Sequence, residues 1–283
     1  MKTTRFVTLK NYFAIITAII FMFFGFGFST KSYPPHPKNP QELVLRAEFY
    51  TSYPASSPER KSNIALAVSK INGYFLEVGG VFSFNKVVGD RTLDSGFKNA
   101  KIIVNGRFTD GVGGGICQVS TTLYNAVLLS GLKIIEYHPH SLVVSYIAPS
   151  FDAMVNSGGA DLKFQNTTDN PIVICATANG SVLKISVLGE PMQEKYFRQS
   201  VVTETISAPD TEIIVDEKGE YPEILNGERK VFCYGKEGLK SLGYLIKHKN
   251  GKLVSVTQIR KDTYKPMRGL IVEGRALEIP EKN

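Results

Sequence analysis

Apolar residues recur along this chain at two spacings, and the switches between them outline its elements. Residues 42–50 alternate as a strand does. Ile64, Ala67, Val68 and Ile71 then share one helical face, with Ser62 or Asn63 placed to cap the helix and Asn72-Gly73 to end it. Residues 81–84 and 102–104 read as short strands, and Asn105-Gly106 as a hairpin turn into 107–109. Helical spacing returns from about 116 to 129, with Val119, Leu123, Ala126 and Val127 on one side and Gly131 closing the helix. Strands are predicted at 132–137, 142–147, 162–165, 172–176 and 182–187, with turns at Asn170-Pro171 and Asn179-Gly180. The pattern lapses into polar residues at 190–197, read as a boundary. Beyond it, residues 200–274 show only strand and turn signals, with hairpin dipeptides at Asn226-Gly227 and Asn250-Gly251. The fold class is therefore α+β: a central antiparallel sheet with a helix behind a Gly-rich loop at 45–190, then a small all-β domain at 200–275.

The first thirty residues follow a different rule. Lys2, Arg5 and Lys10 precede residues 13–28, whose only polar member is Thr17, and no acidic residue occurs before Glu42. A basic segment followed by an apolar run is an export signal. As a helix the run would span about 24 Å, at about 1.5 Å per residue, against a hydrocarbon core of about 30 Å. Residues 1–31 are read as an uncleaved signal anchor with the N-terminus in the cytoplasm, a cleaved signal being the alternative. Residues 32–40 hold four prolines in nine positions, so 32–44 reads as an extended spacer. The expected location is the cytoplasmic membrane, single-pass through residues 13–28, with the bulk of the chain outside.

Composition alters the picture little. Of 283 residues, 43% are hydrophobic and 21% charged, which places the chain among globular proteins rather than disordered or coiled-coil ones. The formal charge of +7 falls to +4 once Lys2, Arg5 and Lys10 are set aside, too mild a balance to argue for nucleic acid. No nucleic-acid partner and no cofactor are expected. Cys117, Cys175 and Cys233 lie far apart without metal-ligand spacing, so no metal site is expected. An odd number of cysteines outside the cell leaves at least one free thiol.

Candidate chemistry gathers at Gly113-Gly114-Gly115-Ile116-Cys117-Gln118. A thiol in the first turn of a helix meets unpaired N–H groups and the helix dipole, which favour an anion and lower a cysteine pKa. Those N–H groups would also serve an oxyanion. His140 follows after the helix and one strand, and Asp152 or Asp161 then comes in position to orient its ring. Gln118 is a candidate oxyanion donor, and Arg91 a candidate partner for a substrate carboxylate. Each has a structural counterpart: a buried cysteine, glycines that permit tight packing, a hydrogen-bonded histidine. Ser120, Thr121 and Thr122 read as helix-surface or packing residues, and Cys175 and Cys233 as core.

Phe82-Ser-Phe-Asn85, Gly113-Gly-Gly-Ile-Cys-Gln-Val-Ser120, His138-Pro-His-Ser141, Asp152-Ala153 and Asp161-Leu-Lys-Phe-Gln-Asn166 resemble the VanW family over roughly 45–190. The resemblance implies a bacterial envelope protein associated with the wall, and favours His140 over His138. Gly235-Lys-Glu-Gly238, Asn250-Gly-Lys252 and Val272-Glu-Gly274 resemble, more loosely, the G-five type of extracellular module, which implies binding of amino-sugar glycans. The order Cys–His–Asp is similar to that of transglutaminase-like and papain-like enzymes. Three functions are expected to compete: a thiol-dependent acyl-transfer or amide-cleaving enzyme acting on peptidoglycan peptides, a non-catalytic binder of peptidoglycan or another wall polymer, and a scaffold for membrane-bound resistance or wall-synthesis enzymes.

Overall fold

The computed structural model describes residues 43–104, 106–221, 223–225 and 227–274. The segment read as an anchor at 13–28, most of the spacer, Asn105 and Asn226 lie outside the described residues.

The core is a four-stranded antiparallel sheet in the order β1 (Val44–Ser52), β9 (Val182–Gly189), β8 (Ile172–Ala178), β2 (Tyr74–Leu76). Alternation decides its inner face: Ile172, Ile174, Ala176, Leu183, Ile185 and Val187 are all buried. Two helices cover that face. Helix α1 (Pro58–Ile71) lies on β8, and α3 (Ile116–Leu129) on β1 and β9. A three-stranded sheet of β3 (Val81–Ser83), β7 (Lys163–Gln165) and β6 (Lys133–Glu136), a short helix α2 (Phe84–Val88) and the hairpin β4 (Asn99–Val104)–β5 (Arg107–Val112) complete this part.

Helix α1 starts earlier than Ser62 or Asn63. Ser57 caps it, accepting from the Arg60 N–H at 3.3 Å, and Pro58 takes the first position, where its missing N–H costs nothing. Asn63 is instead buried in mid-helix, where its amide reaches the Lys98 and Gly114 carbonyls at 2.9 and 3.0 Å. It ties α1 to the glycine loop.

Helix α3 departs most from its expected amphipathic form, because nearly every face is buried, including Gln118, Ser120, Thr121, Thr122 and Asn125. The sheet covers one side. On the other, its polar residues satisfy an extended segment that joins no strand: Ser120 Oγ donates to the Ala153 carbonyl at 2.6 Å, Thr121 Oγ1 accepts from Ala153 N–H at 2.9 Å, and Asn125 donates to the Phe151 carbonyl at 2.7 Å. Ser120, Thr121 and Thr122 are therefore packing residues rather than surface ones. The strand predicted at 142–147 is absent. Leu142 and Val144 are buried and Val143 exposed, as in a strand, but no neighbouring strand supplies a ladder.

Residues 190–193 join no strand, so the break at 190–197 is shorter than expected; β10 (Glu194–Ile206) starts within it and pairs antiparallel with β13 (Gly238–Lys249), which pairs in turn with β14 (Lys252–Tyr264). Asn250 and Gly251 carry positive φ of 52° and 76° at the hairpin between them, as a tight two-residue turn requires. A last sheet sets β11 (Glu212–Asp216) parallel and β12 (Arg229–Cys233) antiparallel to β15 (Leu270–Gly274). Architecture is thus α+β with strand in excess. The β module seats directly on the core: Arg198 stands over the Phe49 and Phe151 rings at 4.4 and 4.8 Å, and Ser241 Oγ pairs with Ser150 Oγ at 2.7 Å. Cys175 and Cys233 are half-buried and free, on strands rather than in the core.

Candidate active site

Gly115, with φ of +107°, begins α3 and no side chain caps it. The three glycines have separate steric reasons. A Cβ at Gly114 would lie 2.6 Å from the Lys101 carbonyl, and one at Gly115 would lie 3.0 Å from both Arg60 Cγ and Ile64 Cγ1. Gly113 and Gly115 also hold positive φ, which side chains resist. The first turn is consequently pressed against β4 and α1, and Cys117 comes out on the open side. Ile116 N–H bonds to the Gly113 carbonyl at 3.2 Å and Gln118 N–H to that of Gly115 at 3.0 Å. Among the described residues, no such turn bond uses the Cys117 N–H.

His140 arrives from the other direction. The chain leaves β6, loops, and closes where the Met154 N–H meets the His138 carbonyl at 2.7 Å. That closure, with the α3 contacts to 151–153, sets Asp152 beside His140. Asp152 Oδ2 accepts the His140 backbone N–H at 2.6 Å and lies 2.7 Å from Nδ1. With Nδ1–H donating to a carboxylate, Nε2 is left for the thiol. Oδ1 accepts from Tyr264 at 2.5 Å and from Arg260 Nη2 at 3.2 Å. Arg260 also bonds the Asp152 carbonyl and, through Nε, Asp262 at 2.9 Å.

The thiol of Cys117 is half-buried and donates to the Val155 carbonyl at 3.3 Å. Burial alone would push its pKa up. The neighbouring His140, through its ring and its imidazolium charge, together with the Val155 carbonyl contact and the nearby Arg91, outweighs that and holds it below the ordinary thiol value. Burial would likewise lower His140, but Asp152 and Cys117 raise it to about 9. Asp152, pushed up by burial, is brought below the usual carboxylate range by His140, Arg260 and Tyr264. Both shifts favour proton transfer from the thiol to the imidazole, with the Asp152 carboxylate behind it.

The pair opens on a cleft of about 810 Å³. Gly113, Gly114 and Gly115 form one lip, the β4–β5 hairpin with Phe108 another, and the 139–146 loop with Tyr146 a third; Lys236 and Thr263 come from the β module. Arg60, Lys101 and Lys236 line it, and no Asp or Glu does among the described residues. Nor do the described residues hold a His, Cys, Asp or Glu cluster suited to a metal.

Three expected residues lie elsewhere in the arrangement. Asp161 makes no hydrogen bond to His140 among the described residues: its carboxylate accepts Ser83 Oγ at 2.6 Å and Asn85 N–H at 2.9 Å at the start of α2. Gln118 is no oxyanion donor, because both its amide hydrogens are committed, to Thr51 Oγ1 at 2.9 Å and the Ser52 carbonyl at 3.1 Å, while Arg60 occupies its oxygen at 2.8 Å. Arg91 does not line the cleft; it donates to Asn85 and reaches Cys117 through its charge. Sequence reasoning missed Tyr146, Arg260 and Tyr264. For the last two a signal existed, since Arg260, Asp262 and Tyr264 alternate on the buried face of β14.

Residues 59–188 match the family model described as VanW like protein. The chain is 40% identical over 174 residues to the protein YoaR of Bacillus subtilis (strain 168), covering 58% of this chain and 57% of that one. It is 30% identical over 139 residues to the Vancomycin B-type resistance protein VanW of Enterococcus faecalis (strain ATCC 700802 / V583), covering 47% and 49%. The chain therefore spans about half the length of these curated relatives. Among solved structures, the IgA1 protease G5 domain matches 30% of this chain and 92% of its own at 23% identity, with a TM-score of 0.19.

Proposed function

We propose that this chain, whose central region belongs to the VanW family, is an extracytoplasmic wall-associated enzyme that transfers or hydrolyses acyl groups of peptidoglycan peptides through Cys117. The observation that carries the reading is that Cys117 and His140 line one cleft while Asp152, buried behind them, bonds the His140 ring. The sequence signal at residues 13–28 supports attachment to the cytoplasmic membrane, which puts the cleft on the wall side.

The chemistry follows from the atoms available. Thiolate Sγ attacks an amide carbonyl carbon; an S–C bond forms, and negative charge moves to the carbonyl oxygen, where the Cys117 N–H at the helix start receives it. As the tetrahedral species collapses, the C–N bond breaks and His140 Nε2–H gives its proton to the leaving amine. A thioester remains. Water or an acceptor amine then attacks it, His140 takes the proton, and thiolate leaves. Asp152 holds the ring in the tautomer both steps need. Cationic lining without carboxylates suits a substrate bearing carboxylates, as wall stem peptides do.

The same cleft supports a second reading, a binder of anionic wall polymer without chemistry. One experiment separates the two. Full-length protein is incubated with purified sacculi, and the Cys117 peptide is examined by mass spectrometry for a hydroxylamine-labile adduct while released fragments are profiled. The enzyme reading expects an adduct on Cys117 and altered fragments, both lost in Cys117→Ala. Saturable retention that survives Cys117→Ala, with no adduct and an unchanged profile, would establish the binder instead.

A further inference from the structure

We infer that the C-terminal β module is part of the active site rather than an appendage to it: Arg260 and Tyr264 are positioning residues that aim Asp152 at His140. The inference rests on the proposed Cys117 chemistry and goes beyond it by assigning two residues over a hundred positions away. Asp152 is 1% exposed, and of its two carboxylate oxygens one serves His140 while the other serves only β14, through Tyr264 and Arg260. Arg260 acts as a fork. One amine takes the Asp152 carboxylate, the other the Asp152 backbone carbonyl, and Nε takes Asp262. The guanidinium is wholly buried against the adjacent Tyr137 and Tyr124 rings, at 4.5 and 5.6 Å, and is held by three hydrogen-bond acceptors. Tyr264 is similarly fixed, since its oxygen accepts the Ser150 N–H at 2.7 Å while donating to Asp152.

The geometry asks for this support. Asp152 lies in an irregular segment with no sheet ladder of its own, so the α3 side chains hold its backbone and β14 holds its carboxylate. The same strand end also places Thr263 in the cleft wall. Other charged or titratable groups facing the pair are Arg60, Arg91 and Tyr146, and none of them bonds Asp152 among the described residues.

The effect of Arg260→Lys separates positioning from mere charge. If Arg260 supplied only a positive charge, Arg260→Lys, which keeps that charge, would leave Cys117 ionisation unchanged. If it aims the carboxylate, losing the fork frees Asp152 to turn, His140 loses its anchor, and the thiol reverts toward ordinary behaviour.

The test is the pH dependence of Cys117 alkylation by iodoacetamide in the full-length protein, followed on the Cys117 peptide so that Cys175 and Cys233 do not intrude. Tyr264→Phe removes one hydroxyl, and Arg260→Lys keeps the charge but not the fork. Both are expected to raise the midpoint and slow alkylation at neutral pH by about threefold to tenfold, a fraction of what a hydrogen bond to a charged group is worth. Circular dichroism and thermal melting verify folding, and should Arg260→Lys not fold, Tyr264→Phe decides alone. A low wild-type midpoint that His140→Ala raises, with both β14 variants unchanged or shifted down, overturns the inference while leaving the Cys117 reading intact. An ordinary wild-type midpoint, indifferent to His140→Ala, removes both.

Discussion

One oxygen of Asp152 receives both the backbone N–H and the ring Nδ1 of His140, so the imidazole has its orientation and its tautomer set by a single atom. That makes Asp152 and Asp161 distinguishable by experiment. Asp152→Asn should raise the pH at which Cys117 becomes reactive. Asp161→Asn should leave that profile alone and cost about 1–2 kcal/mol of stability by denaturant unfolding, as expected for a carboxylate holding a helix start. The pH profile of acyl transfer follows from the two shifts. Thiolate forms below the ordinary thiol value, and His140 releases its proton at about 9, after which no acid remains for the leaving amine. Activity should therefore be bell-shaped, with an alkaline limb near 9 that is absent for alkylation, which needs no acid. Thiol and histidine were legible from chain order, behind a loop whose glycines announce a special backbone. The choice between Asp152 and Asp161 was not. Both carboxylates follow His140 closely, and only the hydrogen bonds from α3 to residues 151–153 decide which one reaches the ring.

At the scale of elements, α3 is the axis of the domain, with its first turn wedged against β4 and α1. Gly114→Ala would drive a methyl to 2.6 Å from the Lys101 carbonyl, a backbone clash that no rotamer relieves. A loss of about 1–3 kcal/mol is expected, read from the denaturant midpoint, with slower Cys117 alkylation as the turn shifts. Strands β8 and β9 and the apolar face of α1 were readable because one side faces core and the other solvent, which leaves a clean period in the residues. Residues 142–147 carried the same alternation and misled. Period alone reports burial on one side, and a strand also needs a neighbour with free backbone groups. For the polar faces of α3 the sequence left surface and packing roles open for Ser120 and Thr121; with Asn125 they serve as hydrogen-bonding partners for a neighbouring backbone.

For the molecule as a whole, the VanW-like region and the β module are joined by more than a connecting segment: β14 delivers Arg260 and Tyr264 to the Asp152 carboxylate. Sequence reading separated the two because local patterns carry no record of contacts across about a hundred residues. Gly131 marks the seam: a Cβ there would lie 2.8 Å from the Tyr196 ring, at a φ of +76°. Gly131→Ala should therefore loosen the module and lower the unfolding temperature, with Cys117 reactivity falling in parallel if the two parts act as one.

The claim on which the rest stands is that Cys117 is ionised by His140 at neutral pH. An ultraviolet thiolate titration of the full-length protein with Cys175→Ser and Cys233→Ser, with and without His140→Ala, addresses it directly. The account predicts thiolate absorbance already present at neutral pH, well below the ordinary thiol value of about 8.5, and its displacement to or above that value in His140→Ala. Absorbance that grows in only around the ordinary value, and does so identically without the imidazole, would contradict it.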